Sequence, residues 1–177
     1  KGKNVLEIKQ PFGIGTNTEW FYLLGNFGVH IKGTEKKLLP IDEKISFGDI
    51  RESGLPFYGG ALTYHVPLQL PRGKIKLRVP HYRGGLIRAN LDGEQTKRIV
   101  LPPYMQFFSV SQKGQHFLNI TVYPSRNNAF GPVHLADKCE EWLGPSAWRS
   151  YDDAWTDGYC LKEEGILSKP VITILPD

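Results

Sequence analysis

The chain has 177 residues, 40% of them hydrophobic and 23% charged, with 19 Gly and 13 Pro. This is the composition of one turn-rich globular domain, and it excludes a long disordered chain and a multidomain enzyme. The 22 Lys and Arg are scattered among 18 Asp and Glu for a net charge of +4, with no block of like charge that would make a nucleic-acid arm, and no apolar run approaches the ~18 residues of a membrane span.

Val5, Leu6 and Ile8, inside the opening KGKNVLEIK, predict a first strand, and WFYLL from Trp20 to Leu24 predicts a buried one. Val29 and Ile31 alternate with His30 and Lys32 until Gly33 stops the run, and ALTYHV from Ala61 follows the Gly59-Gly60 breaker. Arg72, Lys74, Lys76 and Arg78 fall at period two against Ile75, Leu77 and Val79, the solvated and buried faces of one strand. Ile87, Ala89 and Leu91 alternate with Arg88 and Asn90 up to Asp92-Gly93, a strong turn pair. Leu118, Ile120 and Val122 alternate with Asn119, Thr121 and Tyr123, and Val171 to Leu175 predicts a last strand. About eight short strands separated by turn chemistry predict an all-β sandwich or jelly roll. Between Leu135 and Trp155 the period changes: Leu135, Cys139 and Trp142 have helical spacing, Asp137 and Glu140 resemble a capping pair, and Gly144-Pro145 breaks the run. One or two short helices near 136–150 are expected there.

Sugar recognition needs flat aromatic faces and planar polar groups. Trp142, Trp148 and Trp155 fall in one window with Arg149, Tyr151, Asp152, Asp153 and Asp157. The competing reading makes Trp142 and Trp148 core packing of the short helices and leaves Trp155 at the surface. A second candidate set is Tyr58, His65, His81, Tyr82, Arg83, Arg126, Asn127 and Asn128, with His65 and His81 alternatively satisfied strand residues. Catalysis by this chain alone is not expected. The acidic pairs Glu140-Glu141, Asp152-Asp153 and Glu163-Glu164 are sequence neighbours rather than two carboxylates set apart across a bond, and there is no G-x-S-x-G elbow. Cys139 and Cys160 match no metal spacing, and their pairing stays open.

The segments FYGGALTYHVPLQLP from Phe57, KLRVPHYRGGLIRANLDGE, LPPYMQFFSVSQKGQHFLNITVY and FGPVHL resemble, in order, the galactose-binding-like jelly roll that accompanies large bacterial glycoside hydrolases of the β-galactosidase, β-glucuronidase and rhamnosidase-like types. The resemblance implies a jelly roll over 51–177. Residues 1–50 would then be leading strands, added or left from a preceding sandwich, unless 1–177 is one continuous domain. It implies a non-catalytic carbohydrate-binding or accessory module, whose partners are a glycoside or oligosaccharide and the parent's catalytic domain, with no nucleic acid and no membrane. Two alternatives stay open: a structural domain packed on the catalytic barrel, and a domain lending residues to a glycosidase active site. Sugar would bind in loops at one end of the sandwich, which favours PHYRGG and PSRNNAFG. Such sandwiches often carry a structural calcium, for which Asp152, Asp153 and Asp157 supply oxygens without EF-hand spacing. The motif Lys-Gly-x-x-x-Leu-x-Ile at Lys113 also resembles a late strand of that family, and it recurs at Lys1. This echo, with the lack of an initiator Met, raises the expectation of a fragment cut near the seam between two β-domains.

Overall fold

The computed structural model describes residues 5–16, 21–136 and 152–175. In chain order the strands are β1 (Gly28–Lys32), β2 (Glu35–Leu39), β3 (Leu62–Leu70), β4 (Gly73–Arg78), β5 (Leu86–Leu91), β6 (Lys97–Ile99), β7 (Met105–Val110), β8 (Gly114–Tyr123) and β9 (Val171–Leu175), with one helical turn, α1 (Asn127–Phe130), between β8 and β9. β1 and β2 form a separate hairpin turning at Gly33, whose φ of 60° suits glycine. The others make a four-stranded sheet in the order β3-β8-β5-β6 and a three-stranded sheet in the order β7-β4-β9, antiparallel throughout. The chain is an all-β sandwich.

The period-two pattern explains the two layers. Leu118, Ile120 and Val122 of β8, Ile87, Ala89 and Leu91 of β5, Tyr64 of β3 and Ile99 of β6 point inward from one sheet. They meet Ile75 and Leu77 of β4 and Phe108 and Val110 of β7 from the other. Burying each of these larger side chains is worth about 1.5–3 kcal/mol, so this cluster is the main stabilising element. The register agrees: Leu118 of β8 lies opposite Val66 of β3 and Leu91 of β5, and Ile120 lies opposite Tyr64 and Ala89.

The predicted turns position the strands. Asp92 and Gly93 both have positive φ, 52° and 76°, and Glu94 N–H closes the turn on Leu91 C=O at 2.9 Å. Pro102 and Pro103 lie between β6 and β7, where the chain passes from one sheet to the other.

Outside the sheets, an irregular run from Leu161 to Ser168 ties distant parts together. Gly48 and Ile50 donate to Ile166 and Glu164 carbonyls at 2.8 and 3.0 Å, and Arg83 and Gly165 exchange two bonds of 2.9 Å. Ile166, within this run, and Ile50, against it, are both buried.

Several expected elements are absent or extra. Val5 to Ile8 is not a strand; Trp20 lies outside the described residues, and Phe21 to Leu24 is an exposed run with no ladder partner among the described residues, because apolar character alone cannot supply one. β2, β6 and β7 were not expected. β2 is exposed at every position, β6 has three residues, and the adjacent Phe107 and Phe108 blur the alternation of β7. Of the 136–150 stretch where one or two short helices were expected, only Ala136 is described, and it is not helical; Asp152–Ala154 forms a single 3-10 turn.

Candidate functional site

Residues 133–136 and 154–160 run side by side as an irregular pair. Ala136 N–H donates to Ala154 C=O at 2.7 Å, Thr156 N–H to His134 C=O at 3.0 Å and Cys160 N–H to Val133 C=O at 2.7 Å. This pairing brings the His134 ring flat onto Trp155, with centroids 4.6 Å apart and planes 23° apart. His134 Nδ1–H donates to the Thr156 carbonyl at 3.0 Å, which fixes the imidazole, and the Trp155 indole N–H donates to Asp157 Oδ1 at 3.1 Å. Trp155 is therefore held on one face and at its N–H edge, yet it remains 47% exposed.

The aromatic contacts continue behind it. His134 lies 4.7 Å from the Tyr159 ring, Tyr159 meets Phe57 edge-on at 5.3 Å, and Lys36 Nζ sits 4.9 Å from the Tyr159 centroid. Beyond Phe57 opens an apolar groove of about 480 Å³ lined by Tyr22, Leu24, Phe57, Tyr58 and Phe130 among others. Tyr58 hydroxyl donates to Ala61 C=O at 3.0 Å, and its ring occupies the space a Cβ on Gly60 would need, at 2.7 Å.

Asp152, Asp153 and Asp157 are all exposed, Asp157 accepts from the indole, and among the described residues no group of three His, Cys, Asp or Glu is gathered as for a metal. Exposed carboxylates accept hydrogen bonds from hydroxyl groups.

The other candidates lie apart from Trp155 in different settings. Asn128 is 3% exposed and clamps the Lys162 backbone, donating to its carbonyl at 2.7 Å and accepting from its N–H at 2.9 Å. Arg126 is exposed at the start of α1, and Asn127 N–H donates to Ser125 Oγ at 3.3 Å. Arg83 uses its backbone to pair with Gly165 while its side chain stays exposed. Tyr82 packs edge-on against Tyr104 at 5.3 Å, and burial followed by the neighbouring phenol pushes its hydroxyl pKa up. His81 is exposed, and its carbonyl accepts from Ser168 at 3.3 Å. His65 Nδ1–H donates to Asn119 Oδ1 at 2.6 Å across β3 and β8. Trp142, Trp148, Arg149, Tyr151 and Cys139 lie outside the described residues.

Two acidic groups hold the frame behind the loops. Burial pushes the Asp49 carboxyl up, but hydrogen bonds from the Arg51 side chain and backbone, at 2.7 and 3.0 Å, outweigh this and leave it below the ordinary value. Arg51 Nη1 donates onward to Leu161 C=O at 2.7 Å. Glu164 is buried and accepts from both the N–H, at 3.0 Å, and the hydroxyl of Ser125.

His134, Tyr159, Phe57 and Lys36 were not among the candidates. They come from separate stretches of sequence, and only the pairing of 133–136 with 154–160 brings His134 and Tyr159 to Trp155.

No protein-family model matches the chain, and no curated protein matches it. Among solved structures, the chain is similar to part of a GH2 beta-galacturonidase from Eisenbergiella tayi, solved bound to glycerol, at 18% identity over 82% of this chain and 22% of that one, with a TM-score of 0.41. It is also similar to part of a rhamnosidase from Novosphingobium sp. PP1Y at 14% identity over 82% of this chain and 14% of that one, with a TM-score of 0.47. The chain thus spans less than a quarter of either protein.

Proposed function

We propose that this chain is a non-catalytic carbohydrate-binding module of the galactose-binding-like jelly-roll kind, belonging to a larger glycoside hydrolase. The observation that carries the reading is Trp155: an indole propped by His134, pinned by Asp157 and half exposed. A fixed aromatic face loses little entropy on receiving the apolar side of a pyranose, and exposed acids such as Asp153 can accept from its hydroxyls. The sequence resemblance over 57–135 and the repeated passage of the chain between sheets support the jelly-roll assignment.

The test is calorimetric titration of the isolated chain with galactosides, rhamnosides and glucuronides. Trp155→Ala is expected to weaken binding about tenfold or more, as for a central anchor, and Trp155→Phe to retain most of it. No heat with any of these sugars overturns the reading. A second reading, a structural module packed on the parent's catalytic domain, is favoured by the apolar groove beside Phe57 and Phe130. In that case Phe130→Asp would abolish association with the catalytic domain, and Trp155→Ala would leave it intact.

A further inference from the structure

The free edges of the two sheets are treated differently. At the outer edge of β7, Lys97 Nζ donates to Phe107 C=O at 2.5 Å, and Gln106 Nε2 donates to Arg98 C=O at 2.8 Å. Residues 43–47 share a cleft with β3, and Phe47 stacks on its Tyr64 at 4.4 Å. β9 has β4 on one side and, among the described residues, no hydrogen-bond partner on the other. Its sequence, VITIL, carries no charge and no internal proline, and Val171 and Ile174 are 48% and 53% exposed. An apolar, unguarded edge of this kind is a template for another strand.

The sequence also says which strand fits. VITIL reads nearly the same in both directions about Thr173. Two copies laid antiparallel with Thr173 opposite Thr173 bring Val171 opposite Leu175 and Ile172 opposite Ile174, pairing β-branched and aliphatic side chains throughout. The faces agree as well. Lys76 lies opposite Thr173, and Lys74 and Arg78 lie opposite Leu175 and Val171, so these three residues share the outer face. Ile172 and Ile174 lie opposite Leu77 and Ile75, on the core side. Antiparallel pairing keeps outer with outer and inner with inner.

We infer that β9 pairs with β9 of a second copy across a two-fold axis at Thr173, joining two three-stranded sheets into one of six strands. The basic column Lys74, Lys76 and Arg78 does not oppose this. The two β4 strands would stand three strand spacings apart, about 14 Å, farther than the ~8 Å over which charges act at physiological salt. A contact of one short strand is small, so the dimer is weak, with a dissociation constant on the order of 100 μM.

The register makes a sharp test with the full chain in which Cys139 and Cys160 are changed to Ser. Thr173→Cys places two sulfurs opposite each other within disulfide reach. Leu175→Cys places its two copies about 13 Å apart along the strands, out of reach. The expected result is concentration-dependent dimer in sedimentation, rapid oxidative cross-linking of Thr173→Cys but not Leu175→Cys, and about tenfold weaker dimerisation of Thr173→Lys. A monomer at every concentration, equal cross-linking of the two cysteine variants, or undiminished dimerisation of a folded Thr173→Lys overturns the inference. Should Thr173→Lys not fold, the cysteine pair decides.

Discussion

Phe117 and Leu118 are neighbours on β8, yet the sandwich assigns them opposite fates. Leu118 is completely buried and packs in the cluster between the sheets, while Phe117 stands 49% exposed on the outer face opposite Pro67 of β3. Leu118→Ala removes three carbons, about 2.5 kcal/mol of transfer free energy, and leaves a cavity in a strand flanked on both sides, for a total near 3–4 kcal/mol. Phe117→Ala deletes more atoms but uncovers little core, so it costs about 1 kcal/mol or less. The backbone bond from Phe117 N–H to Asp92 survives either change. Urea unfolding of both variants, followed by circular dichroism, measures the difference. If the larger truncation at Phe117 costs more than the smaller one at Leu118, the inside and outside of this strand have been read the wrong way round.

His116 is buried with both ring nitrogens facing acceptors, Asp92 Oδ2 at 2.6 Å and Gln112 C=O at 2.9 Å. The bond to Asp92 raises its pKa above the usual 6.5, and the bond from His116 lowers that of Asp92 below 3.8. The His116 contribution is full below 6.5 and lost as pH rises through its folded pKa; the Asp92 contribution is full above 3.8 and lost as pH falls through its own. The pair therefore stabilises most between these limits, and the loss on the alkaline side disappears in His116→Gln, as pH-dependent urea melts will show. Asn128→Ala removes the two hydrogen bonds that its side chain makes to the Lys162 backbone and should cost about 2–3 kcal/mol, read by thermal melting. Gly165→Ala meets both a positive φ of 110° and Ile50 Cγ2 at 2.8 Å, so its unfolding midpoint should fall by more than that of Gly93→Ala, which has open space around it.

The sandwich strands were legible where one face meets the core and the other meets water. That condition holds for β3, β4, β5 and β8, whose alternation is unbroken. It fails at β2, where no side chain is buried, and at the run Phe21 to Leu24, whose hydrophobicity is spent lining a groove instead of joining a ladder. The candidate site was half legible. Trp155 and its flanking acids stand out as a local cluster, and the surface reading of Trp155 holds. His134 and Tyr159 do not stand out, because their meeting with Trp155 depends on two irregular segments lying antiparallel, a pairing without periodic signature. The burial of Asn128 was not legible either: a polar residue in a turn reads as a surface group, and only the structure shows its side chain bonded to the Lys162 backbone.

The run from Leu161 to Ser168 sets the order in which the chain can complete itself. It receives hydrogen bonds from residues 48–51 and exchanges them with Arg83 and Asn128, across separations of up to 118 residues between Gly48 and Ile166. During synthesis, residues 48–55 leave the ribosome long before their partners exist, so Ile50 has no cover until the last sixth of the described chain emerges. Contacts of such long range slow closure. The four-stranded sheet, complete once β8 has been made, can assemble first, while the contacts over Ile50 must wait for residues 161–168.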